Sequence, residues 1–150
     1  MRRTSGLIAL VLLAPAAAQA ATCTTSATPV VFGVYNPFSA TSSDSTGTVT
    51  VSCTMANNNP YTVYLSMGGG GSYSGRQMNS GSSTLSYQLY TNPSRTIIWG
   101  DGTGATSYDS GTANGNSYNA HYTIYGRILA QQLTVISGNY TDVITVTITY

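Results

Sequence analysis

Tyr140-Thr141-Asp142-Val143-Ile144-Thr145-Val146-Thr147-Ile148-Thr149-Tyr150 alternates apolar and polar side chains up to the final residue. Ile144, Val146, Ile148 and Tyr150 fall on one side and Thr145, Thr147 and Thr149 on the other, the period-two pattern of a strand with one buried face. The pattern predicts a chain that ends inside a β-strand, with no tail to close the sheet. Such a strand leaves its neighbour place to another segment, and an unfilled place beside a strand is either a hazard or a docking site. The expectation here is a docking site.

Backward from that strand the same alternation recurs. Tyr118 to Leu129 sets Tyr122, Ile124, Gly126 and Ile128 on one face, Leu85 to Tyr90 alternates again, and Thr96 to Trp99 is a short apolar segment. Tyr61 to Met67 places Tyr61, Val63, Leu65 and Met67 together, and Thr46 to Thr54 does the same for Val49, Val51 and Cys53. The first strand is expected at Val30 to Tyr35, ended by Asn36-Pro37, because proline withholds a backbone donor. Gly100-Asp101-Gly102 suits a tight turn. Gly68 to Ser83 reads mostly as loop, with room for a short strand around Arg76 to Asn79. No segment after residue 20 sustains a 3.6-residue period. Some seven short strands separated by turn signals predict an all-β fold, a β-sandwich.

At the other end, Arg2 and Arg3 precede an apolar run from Leu7 to Ala14, and Ala18-Gln19-Ala20 offers the small residues that signal peptidase needs. Residues 1–20 are expected to be a secretory signal peptide and residues 21–150 one domain. Thr4-Ser5-Gly6 lacks the apolar residues of a twin-arginine signal. The apolar run falls short of the roughly 20 residues that span a bilayer, so no transmembrane anchor is expected.

Beyond residue 20 the only charges are Arg76, Arg95 and Arg127 against Asp44, Asp101, Asp109 and Asp142, three positive and four negative, with no Lys or Glu. That set cannot build the basic patch that nucleic acid or anionic lipid requires. Disorder is a poor reading too, because 12 tyrosines and abundant Thr, Val and Ile mark a chain that packs. The surface is then Ser, Thr, Asn, Gly and Tyr. An even cysteine count in an exported chain predicts a disulfide between Cys23 and Cys53.

Catalytic chemistry finds little footing. A triad needs a base, and the single histidine, His121, falls mid-strand on the less apolar face. Asp101 and Asp109, the closest carboxylates for glycoside chemistry, both sit among turn residues, where aspartate bonds its own backbone. Gly68 to Gly71 lacks the lysine and helix of a phosphate loop. Asp101-Gly102-Thr103-Gly104 is neither an aspartic-protease motif nor a calcium loop. No enzyme activity, metal or cofactor is expected. Asn139-Tyr140-Thr141 fits a glycosylation sequon in a host with that machinery. Tyrosine and asparagine together leave a lectin-like, carbohydrate-binding adhesin as a second reading.

Leu85 to Tyr90, Arg95-Thr96, Trp99-Gly100-Asp101-Gly102, Tyr122 to Ile128 and Gly138-Asn139-Tyr140-Thr141-Asp142 occur in an order that resembles the spore coat U family. Phe32 to Pro37 and Val49 to Cys53 resemble it too. The resemblance implies a subunit of an archaic chaperone-usher pilus, a surface fibre used in attachment and biofilm formation. It also implies an immunoglobulin-like β-sandwich that is incomplete, its last strand supplied in trans by donor-strand complementation. A periplasmic pilus chaperone, an outer-membrane usher and a neighbouring pilin subunit are the implied partners, and the localisation is periplasm in transit, then cell surface. A secreted spore or cell-coat protein that folds alone is the alternative.

Fibre-building subunits carry an N-terminal extension that donates a strand, whereas Ala21 and Thr22 alone separate the expected cleavage site from Cys23. The expectation is a protein that accepts a strand without donating one, at a tip or first position. Val31, Phe32, Ile144, Val146 and Ile148 are the candidate lining of the acceptor groove, and Tyr150 the candidate chaperone contact.

Overall fold

In the computed structural model, which describes residues 20–150, the chain forms eight strands and one short 3-10 turn, with no α-helix among the described residues. The expected signal peptide lies outside those residues apart from Ala20. None of the described helical segments is long and apolar enough to cross a membrane. The strands are β1 Thr22–Thr28, β2 Ser43–Leu65, β3 Gln77–Ser80, β4 Ser83–Tyr90, β5 Ile98–Trp99, β6 Thr106–Ser107, β7 Asp109–Ile128 and β8 Val146–Thr149. The sheet order is β1-β2-β7-β4-β5-β6, with β3 on β4 and β8 on β2. This is an open, immunoglobulin-like all-β sandwich.

Two long antiparallel strands, β2 and β7, make the frame. The segments expected as separate strands, Thr46 to Thr54 and Tyr61 to Met67, are one strand interrupted by a register shift between Ala56 and Asn59. Met55 and Asn58 take positive φ there, and Gly115 does so opposite. Side chains replace the lost ladder, with Asn58 N donating to Asn114 Oδ1 at 2.8 Å and Asn57 N to Asn59 Oδ1 at 2.7 Å. Extra residues of this kind bend a strand and raise its twist.

The bend folds the paired ribbon over itself. Tyr61 is the register partner of Gly111, and Tyr122 lies eleven residues further along β7. That is about 36 Å on a straight strand at about 3.3 Å per residue. Yet the Tyr61 and Tyr122 hydroxyls are 2.7 Å apart. The enclosed core takes Val49, Val51 and Cys53 from one half of β2, Val63 and Leu65 from the other, Ile124 and Ile128 from β7, Leu85, Tyr87 and Leu89 from β4, and Trp99. Trp99 donates its indole N–H to Val63 O at 3.0 Å, which satisfies its one polar atom inside. Each such aliphatic side chain contributes about 1.5–3 kcal/mol by burial.

Four boundary expectations are corrected. Val30 to Tyr35 is not a strand: the first strand is Thr22–Thr28, whose Cys23 is the register partner of Cys53 and is joined to it by a disulfide. Closing a loop across 30 positions stabilises the fold by roughly 3–4 kcal/mol. The strand expected at Tyr118 begins earlier, at Asp109, so Asp109 lies at a strand start and not in a turn. Met67 and Leu129, placed on strands by alternation, lie past the last ladder residues Leu65 and Ile128 and are exposed. The terminal ladder covers only Val146–Thr149, against Leu65 to Thr62, with an isolated bridge from Thr141 to Asn79.

Charge is settled locally. Asp44 takes two hydrogen bonds from Arg127, at 2.7 and 2.8 Å, and lies 3.3 Å from Arg95, so the Arg127 guanidinium holds its carboxyl below the usual range. The pairs are partly exposed and contribute at most about 1 kcal/mol each.

Candidate groove between two walls

A groove of about 1030 Å³ runs along one side of the sandwich. One wall is Ala27 to Tyr35, the other is the stretch from Val135 to Ile144 with Val146, and the floor includes Leu65, Leu85, Leu89, Ile124 and Ile128. The floor side chains belong to the core and are themselves buried, so the groove lies over a closed apolar base between the two walls.

Beyond Thr28, where β1 ends, the first wall is extended chain without a ladder. No residue from Pro29 to Tyr35 pairs with another strand. Its attachments are side-chain bonds, Ser45 Oγ donating to Val31 O at 2.6 Å and the Tyr35 hydroxyl donating to Leu129 O at 2.8 Å. Two glycines let this wall sit close to the sheet. A Cβ on Gly126 would stand 2.6 Å from Val30 Cγ1 and 2.8 Å from Phe32 Cζ, and one on Gly47 would stand 2.7 Å from Thr28 O. Glycine inside a strand commonly marks such an approach. Gly126→Val should therefore push the wall outward and lower stability by about 1–3 kcal/mol, as overpacking does. Urea unfolding of the variant reads this directly. Unchanged stability would mean that Val30 and Phe32 do not rest on that glycine.

The second wall is clamped. Asn79 and Thr141 exchange backbone bonds at 2.8 and 3.1 Å, and further on Ser66 N donates to Thr145 O at 2.9 Å. Between them Asp142 Oδ1 accepts from Gly69 N at 2.9 Å and Val143 N at 2.8 Å, and Oδ2 accepts from the Tyr87 hydroxyl at 2.6 Å. Burial first and Asp142 second push the Tyr87 phenol well above its ordinary value, so it stays protonated and donates. A single carboxylate thus ties this wall to the Gly68–Gly70 turn and to β4.

The candidate lining residues divide by position. Phe32 is half-buried and meets the Tyr87 ring edge-on at 6.2 Å, while its neighbour Val31 also lines the groove yet is 70 % exposed, as alternation requires. Ile144 and Val146 line the groove and pack on the core. Ile148 packs on the core outside the groove lining, and Tyr150 is exposed. Val143, between Asp142 and Ile144, is 83 % exposed.

The titratable candidates do not converge. His121 is exposed, with Nδ1 3.0 Å from Thr50 Oγ1 on the neighbouring strand. Asp101 accepts from Thr103 N and Oγ1 at 2.9 and 2.6 Å, which holds its own turn and keeps its carboxyl below the usual range. Burial raises the Asp109 carboxyl. Among the described residues no three His, Cys, Asp or Glu side chains gather as a metal site would need. Sequence reasoning missed the roles of Gly126, Gly47 and Asp142. The signal for the glycines was their place inside alternating runs, and for Asp142 a charge among apolar residues.

A profile of the Spore Coat Protein U domain matches residues 8–147. No curated protein matches the chain. The fold is similar to that of a chain in the crystal structure of the CsuC-CsuE chaperone-tip adhesion subunit pre-assembly complex, from archaic chaperone-usher Csu pili of Acinetobacter baumannii. The TM-score is 0.59 and the identity 24 %, over 87 % of this chain. This chain spans 40 % of that one.

Proposed function

The chain belongs to the Spore Coat Protein U domain family, and we propose that it is an exported, non-enzymatic subunit of a bacterial surface pilus that is completed by a strand from a partner. The observation that carries this reading is the groove of about 1030 Å³, whose floor is the hydrophobic core and whose first wall has backbone outside any ladder. An extended segment laid between the walls gains main-chain hydrogen bonds from that backbone and buries alternate side chains on the floor. The donor is first a periplasmic chaperone and then the neighbouring subunit, with an outer-membrane usher handling export. Val31, Phe32, Ile144, Val146 and Ile148 form or brace the acceptor site, and Tyr150 is the chaperone contact.

The signal peptide over residues 1–20 supplies the route to the periplasm. The finer part of the proposal is a tip or first position in the fibre, in support of adhesion and biofilm formation.

Deletion of residues 144–150 tests the reading, because it removes the outer part of the clamped wall and all of β8. Co-expressed with its cognate chaperone, the truncated chain should vanish from the periplasm and the surface while the intact chain accumulates. Export of the truncation at the intact level would overturn the proposal.

A further inference from the structure

On the other face of the terminal strand a second and smaller cleft of about 320 Å³ is lined by Tyr64, Tyr73, Asp101, Thr145 and Thr147, with Ser66 and with Leu65, whose buried side chain also lines the groove. Thr145 and Thr147 are the alternate residues to Ile144, Val146 and Ile148, so one strand serves the groove with one face and this cleft with the other. Tyr108 stands next to it, its ring 5.1 Å from that of Tyr64 at an interplanar angle of 66°. It is also the side chain that a Cβ on Gly102 would strike, at 2.9 Å. Apart from Leu65, the groove does not use any of these side chains.

Three features limit what such a cleft can hold. The tyrosine rings offer flat apolar faces, and their hydroxyls, with those of the two threonines, can both donate and accept. Asp101 stays ionised beside its Thr103 bonds and is solvent-exposed, which disfavours an anionic ligand. The Arg76 guanidinium lies 5.5 Å from the Tyr73 ring centroid, occupying the attraction that an organic cation would need and adding like-charge repulsion. A neutral molecule with an apolar face and a hydroxyl rim meets all three conditions.

We propose that this cleft is a binding site for a neutral sugar residue, with a pyranose face laid on Tyr64 and its hydroxyls bonded by Asp101, Thr145 and Thr147. The polar and aromatic side chains of the site are not among those lining the groove. It is shallow and open, as suits weak recognition of one residue of a longer glycan.

The test is saturation-transfer NMR on the purified oxidised protein with the methyl glycosides of glucose, galactose, mannose and N-acetylglucosamine, and with tetramethylammonium chloride as the cationic probe. At least one glycoside should receive saturation on its ring protons. Its affinity should fall tenfold or more in Tyr64→Ala and in Asp101→Asn, and by a smaller factor in Thr147→Val. Thr147 is exposed, so that variant keeps the fold and guards against loss through unfolding. No transfer to any of the four glycosides, binding that survives Tyr64→Ala and Thr147→Val alike, or tighter binding of tetramethylammonium would each overturn the proposal.

Discussion

Arg76→Ala should lower the stability of the domain by roughly 3–5 kcal/mol, the loss expected when one partner of a buried charged network is removed. Arg76 is fully buried, in a stretch whose composition reads as loop. Its Nη1 donates to Gln88 Oε1 at 2.7 Å, Nη2 to Trp99 O at 2.7 Å and to Ser66 O at 2.8 Å, and Nε to Ser66 O at 3.3 Å. Burial pulls the guanidinium below its usual value, while Tyr87, Tyr73 and Asp142 act to restore it. One side chain therefore gathers β4, the end of β5 and the residue after β2.

Alanine would take the Arg76 donors from two backbone carbonyls, Ser66 O and Trp99 O, and leave the Gln88 amide oxygen with its bond from Leu89 N at 2.9 Å. Gln88 is tied further, its Nε2 donating to Tyr73 O at 2.7 Å, so the loss would spread to the Tyr73 loop. Arg76→Lys should fall between wild type and alanine, because a single ammonium cannot span acceptors that a planar fork reaches together. Urea unfolding followed by Trp99 fluorescence reads both variants. A loss under about 1 kcal/mol for alanine would mean that the three segments are held by packing alone.

Much of the frame was legible because half-buried strands write their faces in alternation. Val49, Val51 and Cys53 are all buried, as are Ile124 and Ile128, and Leu85 and Leu89. The first half of β7 was not legible. Asp109 to Ser117 has a turn-like composition, and its inward positions are as small as Gly111 and Ala113 because the Tyr61 ring fills the space. A Cβ on Gly111 would lie 2.5 Å from the Tyr61 hydroxyl oxygen. Likewise Met55 to Asn59 reads as a break between strands, whereas side-chain amides carry the ladder across it.

Val30 to Tyr35 misled for a different reason. Its β-branched and aromatic residues suit a strand, but Val30 and Phe32 rest on glycines at the groove wall while Val31 and Val34 are exposed. The polar run Thr22 to Thr28 takes the pairing, fixed by the disulfide. Arg76 was hidden because a charge buried against carbonyls leaves no pattern in its neighbours. The groove itself was half legible: alternation marked Ile144 and Val146 on one wall, while the clamp through Asp142 joins segments too far apart in sequence to show as a pattern.

Filling the groove should have the largest stabilising effect. A donor that buries three or four aliphatic side chains gains roughly 1.5–3 kcal/mol for each, offset by the ordering of its backbone at about 1–2 kcal/mol per residue. New main-chain bonds to the first wall add about 1 kcal/mol each. A net gain of a few kcal/mol corresponds to a rise in melting temperature of roughly 10–20 °C for a domain of this size. Placing aspartate at the inward donor positions should abolish the gain, because a carboxylate would have to be buried against Leu85, Leu89 and Ile128.

The most direct test of the account is thermal unfolding of the oxidised chain from Ala21 to Tyr150, alone and with an alternating apolar strand joined after Tyr150 by a flexible linker. The joined form should melt cooperatively and well above the bare chain, or alone be soluble, and the aspartate-bearing strand should confer nothing. A bare chain that is a stable monomer with the same melting temperature as the fusion would contradict it.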